Sequence, residues 1–263
     1  MSVLERAKAA LWAKSGLPHD HNGYVSDVHR NLLSGVPPES FWADFNEGSG
    51  QELQRKARAL HSSSVLVVNT FGPWKDEPHK LTIKEHSNFK CLGFEAKCPT
   101  GLSGAPPNLD VLLQSSDTVL GIESKFLEPL TPTRPHFPDS YTRESLPQCE
   151  DAWWEILVRA PNMGFCHFDV AQIIKHYLGL RKQYSEDRSI YLLYLFWKPL
   201  NASDFVEYEK LEREIETFQS AVQPAKGVTF RSLDYIQLWN SWLEDTELAE
   251  HANRLIDRYC VKA

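Results

Sequence analysis

The hydrophobic positions of this 263-residue chain follow two periodicities. Short apolar runs rich in β-branched residues predict strands at 92–97, 108–113, 119–126, 189–197 and 227–233. Apolar residues at helical spacing predict helices at 2–15, 26–33, 51–68, 149–160, 170–183 and 203–221, and a terminal helical stretch at 235–260. A strand, crossover helix and strand in succession require a right-handed connection. The pattern therefore predicts an α/β fold with a central mixed sheet.

Two neighbouring strands carry charged residues among their apolar positions. Side chains alternate faces along a strand, so Glu123 and Lys125 share one face, while the other face carries Ile122, Ser124 and Phe126. The polar segment 114–118 has the composition of a turn, and a hairpin would bring Asp110 near the charged face. Such charges are costly to bury unless they pair or bind a cation. The alternative is a surface hairpin with an ordinary Glu/Lys pair, which the apolar residues flanking Glu123 disfavour.

These residues resemble the motif of the PD-(D/E)XK nuclease superfamily. In that family an Asp begins one core strand and Glu-x-Lys lies in the middle of the next. The chain has Pro107-Asn108-Leu109-Asp110 followed by Glu123-Ser124-Lys125, although two residues separate the Pro from the Asp. The resemblance implies a restriction-endonuclease-like three-layer core with a mixed β-sheet between helices.

The resemblance also implies roles for these side chains. Asp110 and Glu123 would bind Mg²⁺, with Mn²⁺ able to substitute, and the backbone carbonyl of Ser124 would add a ligand. Mg²⁺ prefers carboxylate and water oxygens and lowers the pKa of bound water. Lys125 would orient or help to deprotonate the attacking water and offset developing negative charge.

Three further residues are candidates by analogy with that superfamily. Glu52, on the helix predicted at 51–68, would add an acidic group to the metal site, or it is an ordinary first-turn Glu favoured by the helix dipole. Gln172, on the helix after the Glu-x-Lys strand, would lie near the metal-bound phosphate, or it belongs to an exposed face. Glu95 belongs to a second Glu-x-Lys, Glu95-Ala96-Lys97, and would line the edge of the site. No Asp lies on a clear strand before Glu95, so the later motif is preferred.

Composition and charge limit the classes of function. A net charge of −7, from 28 Lys and Arg against 35 Asp and Glu, counts against nucleic-acid binding through overall charge, but it permits a local basic groove. No apolar run approaches the length of a membrane span, and the N-terminus lacks a secretory signal. Five cysteines without a Cys-x-x-Cys pair indicate reduced thiols and a cytoplasmic protein.

The sequence thus predicts one nuclease-like domain over 1–263, with a helical extension (1–47), a catalytic core (48–200) and a C-terminal strand and helices (201–263). The expected function is a Mg²⁺-dependent endonuclease of restriction, defence or repair type acting on double-stranded DNA, although DNA and RNA are not distinguished. Such enzymes commonly act as homodimers. The alternative is an inactive nuclease fold that binds nucleic acid or a protein partner. A Pro-rich loop, 128–148, either meets phosphates through Arg134, His136 and Arg143 or is a stiff surface loop.

Overall fold

The computed structural model of the protein describes residues 1–48, 56–184 and 187–263. In these ranges the helices are α1 (Val3–Ser15), α2 (Glu39–Gly48), α3 (Ser63–Phe71), α4 (Asp151–Arg159), α5 (Val170–Gln183), α6 (Val206–Val222), α7 (Tyr235–Trp242) and α8 (Ala249–Tyr259). The strands are β1 (Cys91–Lys97), β2 (Asn108–Gln114), β3 (Thr118–Lys125), β4 (Ser189–Phe196) and β5 (Thr229–Asp234). All five strands lie within two residues of their predicted positions.

The five strands form one mixed sheet in the order β1-β2-β3-β4-β5. The pairs β1–β2 and β2–β3 are antiparallel, whereas β3–β4 and β4–β5 are parallel. Helices α4 and α5 lie between β3 and β4 in the chain, and α6 lies between β4 and β5. The sheet is flanked by helices, so the predicted α/β class is confirmed.

The two sheet faces are covered by different helices. Alternation along β3 directs Glu123 towards α5, where it contacts His176, and directs Ser124 to the opposite face, where it bonds Tyr235 of α7. The apolar core extends from α1 to the C-terminus. Trp239 and Trp242 belong to this core, at 0% and 1% exposure, and the indole of Trp242 donates to the Thr82 carbonyl at 2.6 Å.

The helix predicted over 51–68 is only partly confirmed where the structure describes it, because residues 57–62 are not helical, whereas 63–68 belong to α3, which begins at Ser63. The Ser62 hydroxyl accepts from the Val65 amide at 3.4 Å and caps the new helix. The amide of Asn31 donates to the carbonyls of Ala57 and Ala59, at 2.9 and 2.8 Å, which holds that backbone outside a helix.

One other helix prediction was too long, since 26–33 contains only the 3₁₀ turn Val28–Asn31, which the Asp27 carboxylate caps. The helical stretch predicted over 235–260 consists of α7 and α8. Between them the Asp245 carboxylate accepts from the amides of Glu247 and Leu248 and forms a local turn.

Helix α5 lies unusually close to the chain that leaves β1. A Cβ atom at Gly179 would lie 2.2 Å from the Cys98 carbonyl oxygen and 2.5 Å from its sulfur. Only glycine permits this approach, and it sets how deeply α5 is seated on the sheet. His176 lies three residues earlier in the same helix.

Candidate active site

Asp110 and the Glu123–Lys125 segment meet where β2 and β3 stop pairing. The antiparallel ladder runs from Gln114 with Val119 to Val111 with Ile122. One residue further, a carboxylate replaces the backbone partner, because Asp110 Oδ2 accepts from the Ser124 amide at 2.7 Å. This hydrogen bond places the Asp110 side chain beside the Glu-x-Lys segment.

Glu123 is the buried centre of a charged network. Glu123 is 3% exposed, and each of its two carboxylate oxygens contacts a different side chain. Lys125 Nζ lies 2.6 Å from Oε1, and His176 Nε2 lies 2.7 Å from Oε2. Burial by itself raises the pKa of Glu123, but Lys125 and then His176 outweigh burial and hold that pKa at about 2. Glu123 is therefore ionised.

Asp110 has the opposite electrostatic balance. Burial raises the pKa of Asp110 well above its ordinary value, and repulsion by the ionised Glu123 raises it further. Lys125 and the Ser124 amide only partly offset these effects. Burial opposes the charge of Lys125, but Glu123 and then Asp169 outweigh it and raise the lysine pKa, so its ammonium group stays charged. The cluster carries more carboxylate than its neighbouring cations neutralise.

Gln172 and His176 approach the network from α5. The Gln172 backbone amide donates to Asp169 Oδ1, which caps the helix, and its side-chain nitrogen lies 3.0 Å from His176 Nε2. Gln172 therefore contacts the site through His176 and does not belong to a fully exposed face. His176, which is 0% exposed, was not predicted as a site residue. The available signal was its four-residue spacing from Gln172, which places both residues on one helix face.

Glu95 approaches from the neighbouring strand β1. Its backbone has a φ of 47°, in the left-handed region that a non-glycine residue rarely adopts. Burial raises the pKa of Glu95, and Glu123 raises it further, while Asn108 donates to its carboxylate at 3.3 Å. The carboxylate thus lies at the β1 edge of the site. Glu52, the other predicted acidic residue, lies outside the described residues.

Ser124 turns its side chain away from the charged cluster. Its hydroxyl lies 2.7 Å from the Tyr235 hydroxyl on the opposite face of the sheet, and both residues are buried. The sequence-based expectation concerned the Ser124 backbone carbonyl, and the side chain is not available as a ligand.

The oxygen donors of the site suit a divalent cation that the protein binds through only two carboxylates. Over residues 1–48, 56–184 and 187–263, no group of three or more His, Cys, Asp or Glu side chains is arranged to hold a metal ion. Mg²⁺ does not need such a group, since it is often held by one or two carboxylates together with water and substrate phosphate. Asp110 and Glu123 are two hard oxygen donors in a region of excess negative charge. These residues fit Mg²⁺ and do not form a closed protein cage.

The Pro-rich loop is held against the following helix by contacts of Arg143. An Arg143 guanidinium nitrogen donates to the Cys149 carbonyl at 2.7 Å, and another pairs with Asp151. The guanidinium also lies over the Trp154 ring, 5.7 Å from its centroid. Arg143 therefore supports the stiff-loop interpretation, while Arg134 and His136 are exposed.

The fold and the charged cluster together define an α/β protein with a restriction-endonuclease-like arrangement of sheet and helices. The chain belongs to the family described as "Restriction Endonuclease associating with ARP", whose model matches residues 6–260. No curated protein and no solved structure matches the chain. Among the described helices, none combines the length and the apolar character that crossing a membrane requires.

Proposed function

We propose that the protein is a Mg²⁺-dependent nuclease of the PD-(D/E)XK kind that hydrolyses phosphodiester bonds in DNA. The observation that carries the proposal is the bond from the Ser124 amide to Asp110, which holds a second carboxylate beside the ionised Glu123. Burial and this repulsion together raise the pKa of Asp110. A divalent cation between the two carboxylates would remove the repulsion. Membership of the restriction-endonuclease family supports the same conclusion.

Asp110, Glu123 and the Ser124 carbonyl would hold the cation, and Mn²⁺ would substitute for Mg²⁺. When bound, Mg²⁺ polarises the phosphate and lowers the pKa of a coordinated water. Gln172 and His176 fix the orientation of Glu123 from α5, and Glu95 adds negative charge at the β1 edge. Glu52 remains a candidate acidic residue of the same site.

Lys125 is the side chain that would act on the attacking water and on the phosphate directly. Its ammonium group contacts Glu123 at 2.6 Å and reaches Asp169 at 3.8 Å, so its position is fixed from two sides. A charged donor here orients the attacking water and stabilises the charge that builds up on the phosphoryl oxygens. The water oxygen forms a bond to phosphorus and gives up a proton to solvent, the bond from phosphorus to the leaving sugar oxygen breaks, and the leaving oxygen takes up a proton from solvent.

The biological setting is proposed on the family relationship. The family description names an associated partner, ARP, and restriction endonucleases. We infer a cytoplasmic enzyme of restriction, defence or repair type that acts on double-stranded DNA, cuts both strands as a homodimer and associates with such a partner.

The proposal is tested by nicking of supercoiled plasmid in the presence of Mg²⁺ or Mn²⁺. Asp110→Ala and Lys125→Ala are each expected to abolish cleavage, because one removes a metal ligand and the other the charged donor. Asp117→Ala, in the exposed turn at the other end of the same hairpin, is the matched control and should cleave normally. Cleavage at the wild-type rate by both site variants would refute the proposal.

A second candidate is a nuclease fold that no longer cleaves and serves as a binding module. It is favoured by the contacts of Glu123, since Lys125 and His176 already occupy both of its oxygens. Titration calorimetry with Mg²⁺ separates the two candidates when it is combined with cleavage assays on duplex DNA, single-stranded DNA and RNA. Bound Mg²⁺ without cleavage of any substrate would favour the binding module.

A further inference from the structure

A small cavity lies beside Lys125, at the end of β3 that carries the candidate site. Its volume is about 50 Å³, and its wall includes Lys125, Glu128, Thr133, His167, Asp169 and Tyr194. A polar cavity needs only about 10–15 Å³ to hold one water molecule. The space is therefore large enough for ordered water and too small for a nucleotide.

Most of the polar groups in the wall have protein partners. Glu128 accepts from the Phe126 amide at 2.6 Å, and His167 Nδ1 lies 2.7 Å from the Pro129 carbonyl. Asp169 accepts from the amide of Gln172 through one oxygen. These bonds fix the wall of the cavity.

Tyr194 is the exception. It is 0% exposed, and within the described part of the chain its buried hydroxyl has no hydrogen-bond partner. Burial raises the pKa of Tyr194 well above its ordinary value, so the hydroxyl keeps its proton. A buried hydroxyl without a partner is costly, and such groups are usually satisfied by an internal water.

The sheet register brings Tyr194 and Lys125 to the same place. Tyr194 of β4 lies directly beside Glu123 of β3 in the parallel pair, and Lys125 is two residues further along the same face. An ammonium group has three donors. One contacts Glu123 at 2.6 Å, and Asp169 lies at the longer distance of 3.8 Å, which leaves Lys125 able to donate into the cavity.

We propose that this cavity binds ordered water that joins the Tyr194 hydroxyl to the Lys125 ammonium group, and that Tyr194 is thereby a positioning residue for Lys125. The role in cleavage rests on the nuclease function proposed above. The water accepts a hydrogen bond from the Lys125 ammonium group and forms a second one with the Tyr194 hydroxyl. It therefore holds the ammonium group from the side of β4, whereas Asp110 lies on β2, on the other side of β3. No covalent step is involved.

The matched variants are Tyr194→Phe and Tyr208→Phe. Tyr208 is also fully buried, at 1% exposure, and its hydroxyl also has no partner among the described residues, but it does not line this cavity. Each change removes one buried oxygen. Tyr194→Phe should lower kcat about tenfold, as expected for losing one water-mediated bond to a charged group. It should leave KM for DNA and the Mg²⁺ dependence unchanged, and Tyr208→Phe should retain kcat within about twofold.

A crystal structure of the wild-type protein provides the readout that does not depend on activity. It should show a water within hydrogen-bond distance of both Lys125 Nζ and Tyr194 Oη, and Tyr194→Phe should lose it. A cavity without such a water, an unchanged kcat in Tyr194→Phe, or an equal loss in Tyr208→Phe would each overturn the proposal. If the wild-type protein cleaves no nucleic acid, the nuclease proposal and the role in cleavage fail, and the crystal structure alone decides the water link.

Discussion

Two lysines, Lys125 at the end of β3 and Lys198 just after β4, each contact two carboxylates, and only Lys125 belongs to the candidate active site. Lys125 contacts Glu123 and Asp169, and its side chain is 14% exposed. Lys198 lies 2.7 Å from Glu212 and 3.5 Å from Asp234, and its side chain is 27% exposed. Lys125 is the last residue of β3, and Lys198 follows the end of the adjacent strand β4. The two lysines therefore have similar positions in the fold.

The difference between the two clusters is their charge balance. Asp234 uses one oxygen for Lys198 and the other to accept from the Gln237 amide at 2.9 Å, which caps α7. That carboxylate is fully used by the fold. Asp110, in contrast, is held against the ionised Glu123, so that its pKa is raised by burial and by that repulsion. A lysine and carboxylate pair is therefore common to both clusters, and the second carboxylate, Asp110, is the feature on which the proposed active site rests.

The largest expected contrast is in catalysis. Lys125→Ala should lower kcat for plasmid cleavage by at least about 100-fold, the usual scale for removing one positioned donor that stabilises charge in the transition state. Lys198→Ala should cleave within about twofold of the wild type, because its ion pairs support only the fold. Circular dichroism of both variants checks that they are folded. Equal losses in the two variants would remove the distinction between the clusters.

The second contrast is in the unfolding free energy gained on Mg²⁺ binding, and it is smaller than the contrast in catalysis. At a Mg²⁺ concentration of about 100 times Kd, the wild-type protein should gain about 2.7 kcal/mol in unfolding free energy, measured by chemical denaturation with and without EDTA. Asp110→Asn should lose this gain because it removes a ligand. Asp234→Asn should keep it. A Mg²⁺ gain that survives in Asp110→Asn would place the cation elsewhere.

Stability without metal should change in opposite directions. Asp110→Asn removes a repelled charge and can still accept from the Ser124 amide, so it should raise the unfolding free energy by about 1 kcal/mol, allowing for partial exposure. Asp234→Asn removes the counter-charge of Lys198 and should lower it by about 1–2 kcal/mol. Urea denaturation in EDTA measures both. Destabilisation by Asp110→Asn would argue against charge excess at the site.

The smallest effect is the pH dependence of that Asp110 difference. Because the folded pKa of Asp110 is raised, the folded protein binds this proton more tightly than the unfolded chain does, and the penalty for the charge disappears as pH falls through the folded pKa. In EDTA, the gap in unfolding free energy between Asp110→Asn and wild type should therefore be widest at neutral pH and narrow as pH falls. A gap that widens on acidification would contradict the assigned sign.

The sheet and the Asp110, Glu123 and Lys125 cluster could be predicted because their signals are local. Alternation along a strand fixes the face of each side chain, and a turn between two strands fixes their antiparallel pairing. His176 could not be predicted in the same way. Its contact with Glu123 joins residues far apart in the chain, and helical periodicity indicates a buried face without specifying what that face meets.

The helix predicted over 51–68 shows that a local pattern can also predict an element that long-range contacts prevent. Ser62 lies inside the predicted helix, but in the structure it is the cap at which a helix begins. The backbone before it is held by Asn31, more than twenty residues earlier, through bonds that no local propensity encodes. Long-range side-chain to backbone bonds override helical spacing there.

The contact between Gly179 and Cys98 makes a residue without chemistry a determinant of the geometry of this cluster. Any side chain at position 179 would collide with Cys98. We expect the collision to push this helix away from the sheet and to carry Gln172 and His176 with it. Glu123 would then keep its lysine and lose its imidazole neighbour. A mutational survey that scored only ionisable residues would overlook the position at which a single methyl group separates the two halves of the network.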